Sequence, residues 1–305
     1  MSKFSRLALV STTLSILVGC SLAPTQGISS HGAKVNPSVS PGIASYRQNK
    51  ATFPWKPQPL LDRAILQEKA SHFPKFRETQ ALIPPRIDNR QYCSPVADQG
   101  SLGSCTAFAN GKGLREYLEI RHHEKYGQFT PMSPLFLYYE ERSLDGTINI
   151  DSGAAVADGL EVLQTEGCAP EADWPYVISN FTIMPPTEAY QDALSWKIRM
   201  PEVLSSLTDI KEAVAQGAPV VIGFTFYDSS MYSTQVAQTG VMPMPAANDQ
   251  PDGGHAVLVV GYDDNDQWLI VKNSWGPGWG DKGYFYMPYA FVTPDNVDQM
   301  YAVMD

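Results

Sequence analysis

The feature that most narrows what this chain can build is a change of pattern at residue 105. Residues 95–104, Pro-Val-Ala-Asp-Gln-Gly-Ser-Leu-Gly-Ser, carry the glycines and serines of a tight loop. From Cys105 onward Ala107, Gly111, Leu114 and Leu118 return at helical spacing. The loop therefore hands the chain to a helix whose first residue is a cysteine. Unpaired backbone N–H groups and the positive end of the helix dipole favour a thiolate there. By default an isolated thiol in such a place is a small packing residue.

Two later segments give that thiol company. Gly253-Gly254-His255-Ala256-Val257-Leu258-Val259-Val260-Gly261-Tyr262 reads as a glycine turn opening into a strongly apolar strand, with an imidazole at its start. Alone, His255 would be read as a satisfied structural residue. Val271-Lys272-Asn273-Ser274-Trp275-Gly276 follows, Asn273 closing a strand over Trp268 to Val271. The turn Asp263-Asp264-Asn265-Asp266 joins the two strands, so His255 and Asn273 fall on nearby ends of one hairpin. That turn lacks the Gly and distal Glu of a calcium loop.

Taken together, Gln99-Gly100, Gly103-Ser104-Cys105, Gly254-His255-Ala256, Asn273-Ser274-Trp275-Gly276 and Trp279-Gly280 resemble the papain-like cysteine peptidases over about residues 84–305. In that family His and Asn follow the Cys after about 130–150 residues. The resemblance implies an α+β, two-lobed fold: a helical lobe, a strand-rich barrel-like lobe, and the active site in the cleft between them. It implies hydrolysis of peptide bonds through a Cys105 acyl-enzyme. His255 would serve as acid and base, and Asn273 would orient its ring. The Cys105 N–H and the Gln99 amide would form the oxyanion hole, and Trp275 would shield the His–Asn contact. The substrate is a peptide or protein, with no metal or other cofactor. Other Cys–His acyl-transfer enzymes (a transglutaminase or cell-wall amidase) and an inactive binding module on the same fold are the competing readings.

The chain departs from the family pattern at three places. Leu102 stands where a Cys is usual and Thr106 where a Trp is usual. The partner loop, Gly-Cys-x-Gly-Gly in the family, reads Asp151-Ser152-Gly153-Ala154-Ala155, so both halves of the usual disulfide are missing. A bridge between Cys93 and Cys168 is the expected substitute, leaving Cys105 free. Ala154 in place of a glycine is expected to narrow a peptide-binding cleft.

The N-terminus reads separately. Lys3 and Arg6 precede an uncharged apolar run, Leu7 to Val18, which is signal-peptide length and too short to span a bilayer. Leu17-Val18-Gly19-Cys20 resembles the lipobox of bacterial lipoproteins, implying that residues 1–19 are removed and Cys20 is lipidated. The expected product is exported and anchored to a membrane of the bacterial cell envelope, facing outside the cytoplasm. Residues 20–83 read as a tether or a short pro-segment, with a Pro-rich piece from Phe53 to Pro59 and a short helix near Leu60 to Ala70. Few large apolar anchors favour the tether.

Of the smaller signals, residues 151–164 and 208–216 read as helices and Val220 to Phe226 as a strand. His122-His123 suit the C-terminal turn of the first helix. Hydrophobic residues at 43% supply a full core. A formal charge of −10, or −12 once Lys3 and Arg6 are removed, with no long basic run, argues against nucleic acid as a partner.

Overall fold

Gly253–Asp263 (β4) is the longest strand, and all of its residues are buried. Its run of Val and Leu is apolar on both faces because a helix covers one side and a second layer of side chains covers the other. The computed structural model describes residues 54–79, 82–122 and 128–304. The signal peptide, Cys20, the tether up to residue 49 and His123 lie outside the described residues.

Around β4 the strands Arg86–Asp88 (β1), Glu202–Val203 (β2), Val220–Phe226 (β3), Trp268–Lys272 (β5), Tyr284–Pro288 (β6) and Val297–Ala302 (β7) form one antiparallel sheet. Its order is β2-β7-β3-β4-β5-β6, with β1 also on β4. The sheet is open. The expected barrel-like closure does not form, because β2 is two residues long and ends one edge, while β6 ends the other. The β4–β5 turn is the expected hairpin, tightened by the Asn265 N–H donating to Asp263 Oδ1 at 2.9 Å.

The helical layer begins at Cys105 as expected. Residues 105–121 (α2) run without a break, but Phe108–Arg115 are wound as a π-helix. The wider turn leaves the Lys112 carbonyl to other donors, and both Ser94 Oγ (3.1 Å) and the buried Lys272 Nζ (2.8 Å) take it. Pro134–Leu144 (α3) starts with Ser133 capping the Phe136 N–H at 3.1 Å and proline in the first turn. Val156–Thr165 (α4) starts later than expected. Residues 151–155 are a non-helical strip, with Gly153 at φ +70°, and the helix opens only where Asp158 accepts from the Ala155 N–H at 2.9 Å.

Two cores result. One gathers Leu114, Tyr117, Leu135, Leu137, Leu160 and Leu163 between the helices. The other gathers Ile222, Val259, Leu269, Phe285 and Val297 on the far face of the sheet. The expected Cys93–Cys168 bridge is corrected: both are free thiols. Cys168 is buried against the Ser133 carbonyl at 3.5 Å, whereas Cys93 keeps company with Tyr284 and Lys272.

Residues 54–79 do not stand off as a spacer. Arg63–Ala70 (α1), capped by Asp62, buries Leu66, and Phe73 meets the edge of Tyr301. Arg63 pairs with Asp295 (3.2 Å), and Lys69 pairs with Asp145 (2.8 Å) and Asp158 (2.5 Å). Beyond α1, residues 74–76 exchange backbone hydrogen bonds with Val203 on β2. A handful of well-placed anchors was enough to dock a segment whose composition reads as a tether.

Candidate active site

Cys105 is fully buried at the first turn of α2, and its thiol interacts with the N–H of Ala256, the residue after His255 on β4. His255 Nε2 lies 2.8 Å from Asn273 Oδ1, and Asn273 follows directly on β5. The hairpin thus does what its spacing predicted. Among the described residues Nδ1 of His255 has no hydrogen-bond partner. The ring is fixed by aromatic neighbours: Trp275 stacks on it with centroids 5.0 Å apart, and the edge contact with Phe224 is at 5.6 Å. A ring locked on one nitrogen with the other free is the form in which an imidazole can accept a proton.

Gln99 is brought to the same place by a short zipper. Its N–H donates to the Ser274 carbonyl at 2.9 Å, and Ser274 Oγ donates to its Oε1 at 2.5 Å. Its Nε2 donates to the Leu102 carbonyl at 3.0 Å, so one of its two amide hydrogens supports the loop and the other is left over.

The cleft is occupied by the chain itself. Gln58 forms a two-bond antiparallel bridge with Gly254 (3.0 and 2.8 Å), on the stretch of β4 that β5 has left unpaired. Pro59 follows Gln58 and Pro57 precedes it, which presets the extended conformation that an added strand needs. The Gln58 side-chain oxygen accepts from the Ala154 N–H at 3.2 Å and from the Cys105 thiol at 3.6 Å. A Cβ on Gly153 would stand 2.6 Å from the Gln58 Cβ, so this fit requires a glycine there. Trp55 stacks on Trp275 (5.2 Å, 11°) and donates from its indole to Asp98 at 2.7 Å, while Tyr232 donates to the Trp55 carbonyl.

Enclosure sets the electrostatics. Burial pushes the Cys105 thiol up to about 12, the Ala256 N–H working the other way. Burial likewise holds the His255 imidazole down to about 4, with the Asn273 contact opposing it. The thiolate expected from the helix N-terminus is therefore outweighed by loss of solvent, and both groups are neutral with the cleft filled. Behind the nucleophile, Thr106 Oγ1 donates to Glu141 at 2.6 Å, and burial holds that carboxyl well above the usual range. The sequence reading missed Gln58, Trp55, Glu141, Lys272, Asp151 and Tyr138. Two stretches carried a local signal: Trp-Lys-Pro-Gln-Pro through its alternating prolines, and Asp151 through its place at the start of the partner loop that departs from the family pattern.

An α+β chain with a Cys at a helix start facing a His–Asn hairpin is the arrangement of a thiol hydrolase scaffold. Residues 83–297 match the family described as papain family cysteine protease. An uncharacterised peptidase C1-like protein of Acanthamoeba polyphaga mimivirus is 40% identical over 209 residues, 66% of each chain. Thiol protease aleurain of Arabidopsis thaliana is 30% identical over 72% of this chain and 58% of its own. Among solved structures, xylellain, a cysteine protease from Xylella fastidiosa, superposes with a TM-score of 0.71. It is 31% identical, over 82% of this chain and 96% of that one. This chain belongs to the papain family of cysteine proteases. It spans less than two thirds of the length of either curated relative.

Proposed function

We propose that this protein is a thiol peptidase acting on peptides or proteins, and that residues 54–79 hold it latent. The observation that carries the reading is the His255–Asn273 contact set beside a thiol at a helix N-terminus. With the cleft open, water returns to both groups, and transfer of the thiol proton to His255 Nδ1 gives a thiolate–imidazolium pair. Cys105 then attacks the scissile carbonyl. The Cys105 N–H and the spare Gln99 amide hydrogen receive the oxyanion. His255 protonates the leaving amine, and water, deprotonated by His255, releases the acyl group.

Gln58 also presents a carboxamide to the thiol, the group a glutamine acyl-transferase would consume. Its oxygen is held by Ala154 rather than by Gln99 or the Cys105 N–H, so it does not sit in the oxyanion position. Gln58 therefore reads as a plug. A panel of peptide, glutamine-donor and cell-wall substrates separates the three activities.

The deciding test is labelling of the mature protein with an irreversible thiol-directed peptidase inhibitor. Wild type is expected to be labelled at Cys105 and Cys105→Ala not at all; a folded wild type that stays unlabelled after residues 54–79, the strap, are loosened rejects the reading. For the N-terminus we retain the lipoprotein proposal, in which Cys20 carries the lipid outside the cytoplasm. Globomycin-sensitive processing and intact mass of the mature chain test it.

A further inference from the structure

The nucleophile loop is held by a carboxylate. The Gly103 N–H, two residues before Cys105, donates to both oxygens of Asp151 at 3.0 and 3.2 Å. Oδ1 of the same carboxylate accepts from the hydroxyl of Tyr138 at 2.5 Å, and that hydroxyl accepts from the Gly153 N–H at 3.1 Å. Three pieces of chain therefore meet at one side chain: the loop before Cys105, helix α3, and the strip at residues 153–154. The next amide along that strip, of Ala154, is the one that binds the occupant of the cleft.

Each partner is shaped for this role. A Cβ on Gly103 would come within 2.9 Å of Asp151 Oδ1, so only glycine leaves the carboxylate room to reach the amide. Tyr138 is fully buried, and Arg142 lies over its ring at 4.1 Å. The Arg142 guanidinium also binds the carbonyls of Ile148 and Ile150, the residues leading into Asp151. The hydroxyl is thus fixed from behind while the carboxylate, exposed on its outer side, is fixed through it. A bond from an N–H to a carboxylate is about twice as strong as a neutral one. Leu102 and the Asp151 strip occupy the region from which both halves of the family's disulfide are absent.

We propose that Asp151, oriented by Tyr138, is a positioning residue that holds the nucleophile loop in register with the peptide-binding strip, doing non-covalently what a disulfide would do. The proposal rests on the peptidase reading for its kinetic arm only. Moving the Gly103 amide moves the Cys105 N–H, and an oxyanion donor displaced by a fraction of an ångström loses transition-state binding while leaving ground-state peptide binding almost intact.

The test compares full-length wild type with Asp151→Ala, Asp151→Asn and Tyr138→Phe. Two quantities are read: kcat and KM on a peptide substrate, and hydrogen exchange across residues 100–105. Asp151→Ala is expected to lower kcat by about tenfold with KM within about twofold, and to raise exchange at Gly103 by about tenfold. Asp151→Asn, whose amide oxygen still accepts from Gly103 and Tyr138, is expected to recover most of both. If Asp151→Ala matches wild type in exchange, or loses activity only in step with its folded fraction, the proposal falls. If wild type cleaves no peptide, the exchange arm still decides whether the clasp exists, so the two readings fail separately.

Discussion

At the residue scale, the placement of candidate residues that lie in short motifs was legible, and the contacts assembled across the chain were not. Cys105, His255, Asn273 and Gln99 each announce themselves through immediate neighbours: a loop-to-helix change, a glycine turn before a strand, a strand end. Glu141 has no such context, since its partner Thr106 lies 35 residues away. Two expectations belong here. On the proposed mechanism, Gln99→Ala is expected to lower kcat by on the order of a hundredfold, the usual loss for one oxyanion donor. Steady-state kinetics beside a measurement of the Tm separates this from misfolding. Glu141 gives a pH signature. Its carboxyl keeps its proton in the fold to a pH at which the unfolded chain, with an ordinary value of 4.5, has lost it. The native state therefore binds more protons, and its stability falls as pH rises above that value. Glu141→Gln removes this dependence, so its Tm should gain on wild type between pH 4.5 and pH 8. An equal difference at both ends counts against the assignment.

At the element scale, periodicity located the helices and strands because each buries one kind of face. The strand over residues 220–226 and the helices near 63–70 and 207–215 fall where spacing put them. What sequence spacing missed depends on tertiary partners. The π-turns of α2 are stabilised by Lys272 reaching in from β5, and the late start of α4 by a cleft that needs an extended strip. The largest miss is the strap, whose contacts with the domain come from single residues spread over residues 55–76. Its hold is testable element by element. The Trp55 indole is half-buried and lies flat on Trp275, and a stacked aromatic covered on one face contributes about 1–2 kcal/mol. Trp55→Ala combined with Gln58→Gly should therefore raise the open population, and with it the rate of inhibitor labelling at Cys105, by about tenfold to a hundredfold. A labelling rate unchanged from wild type would mean that the strap is not what limits access. Lys69→Met, which removes the pairing of α1 with Asp145 and Asp158, should act in the same direction and more strongly at low salt than at high.

At the scale of the whole molecule, two cores and a strap couple occupancy of the cleft to protonation. With the strap closed, burial holds His255 at about 4 against an ordinary 6.5. The sign follows directly. Between those two values an exposed imidazole takes up a proton and an enclosed one does not, so every proton bound favours the open form. Where His255 titrates alone, closure is therefore fully stable above about pH 6.5 and is progressively lost as pH falls toward 4. That case is Cys105→Ala, because in wild type the open thiolate–imidazolium pair binds as many protons as the closed neutral pair, and the two groups offset each other near neutrality. In Cys105→Ala the open fraction should accordingly rise by on the order of tenfold between pH 7 and pH 5. Hydrogen exchange over residues 54–79, corrected for the intrinsic pH dependence of exchange, measures that fraction without reference to catalysis. Adding His255→Gln, which cannot titrate, to Cys105→Ala should flatten the rise. If the rise persists in that variant, the trigger lies elsewhere on the strap, and the paired Lys69 and Asp158, the only buried carboxylate that α1 reaches among the described residues, become the groups to substitute next.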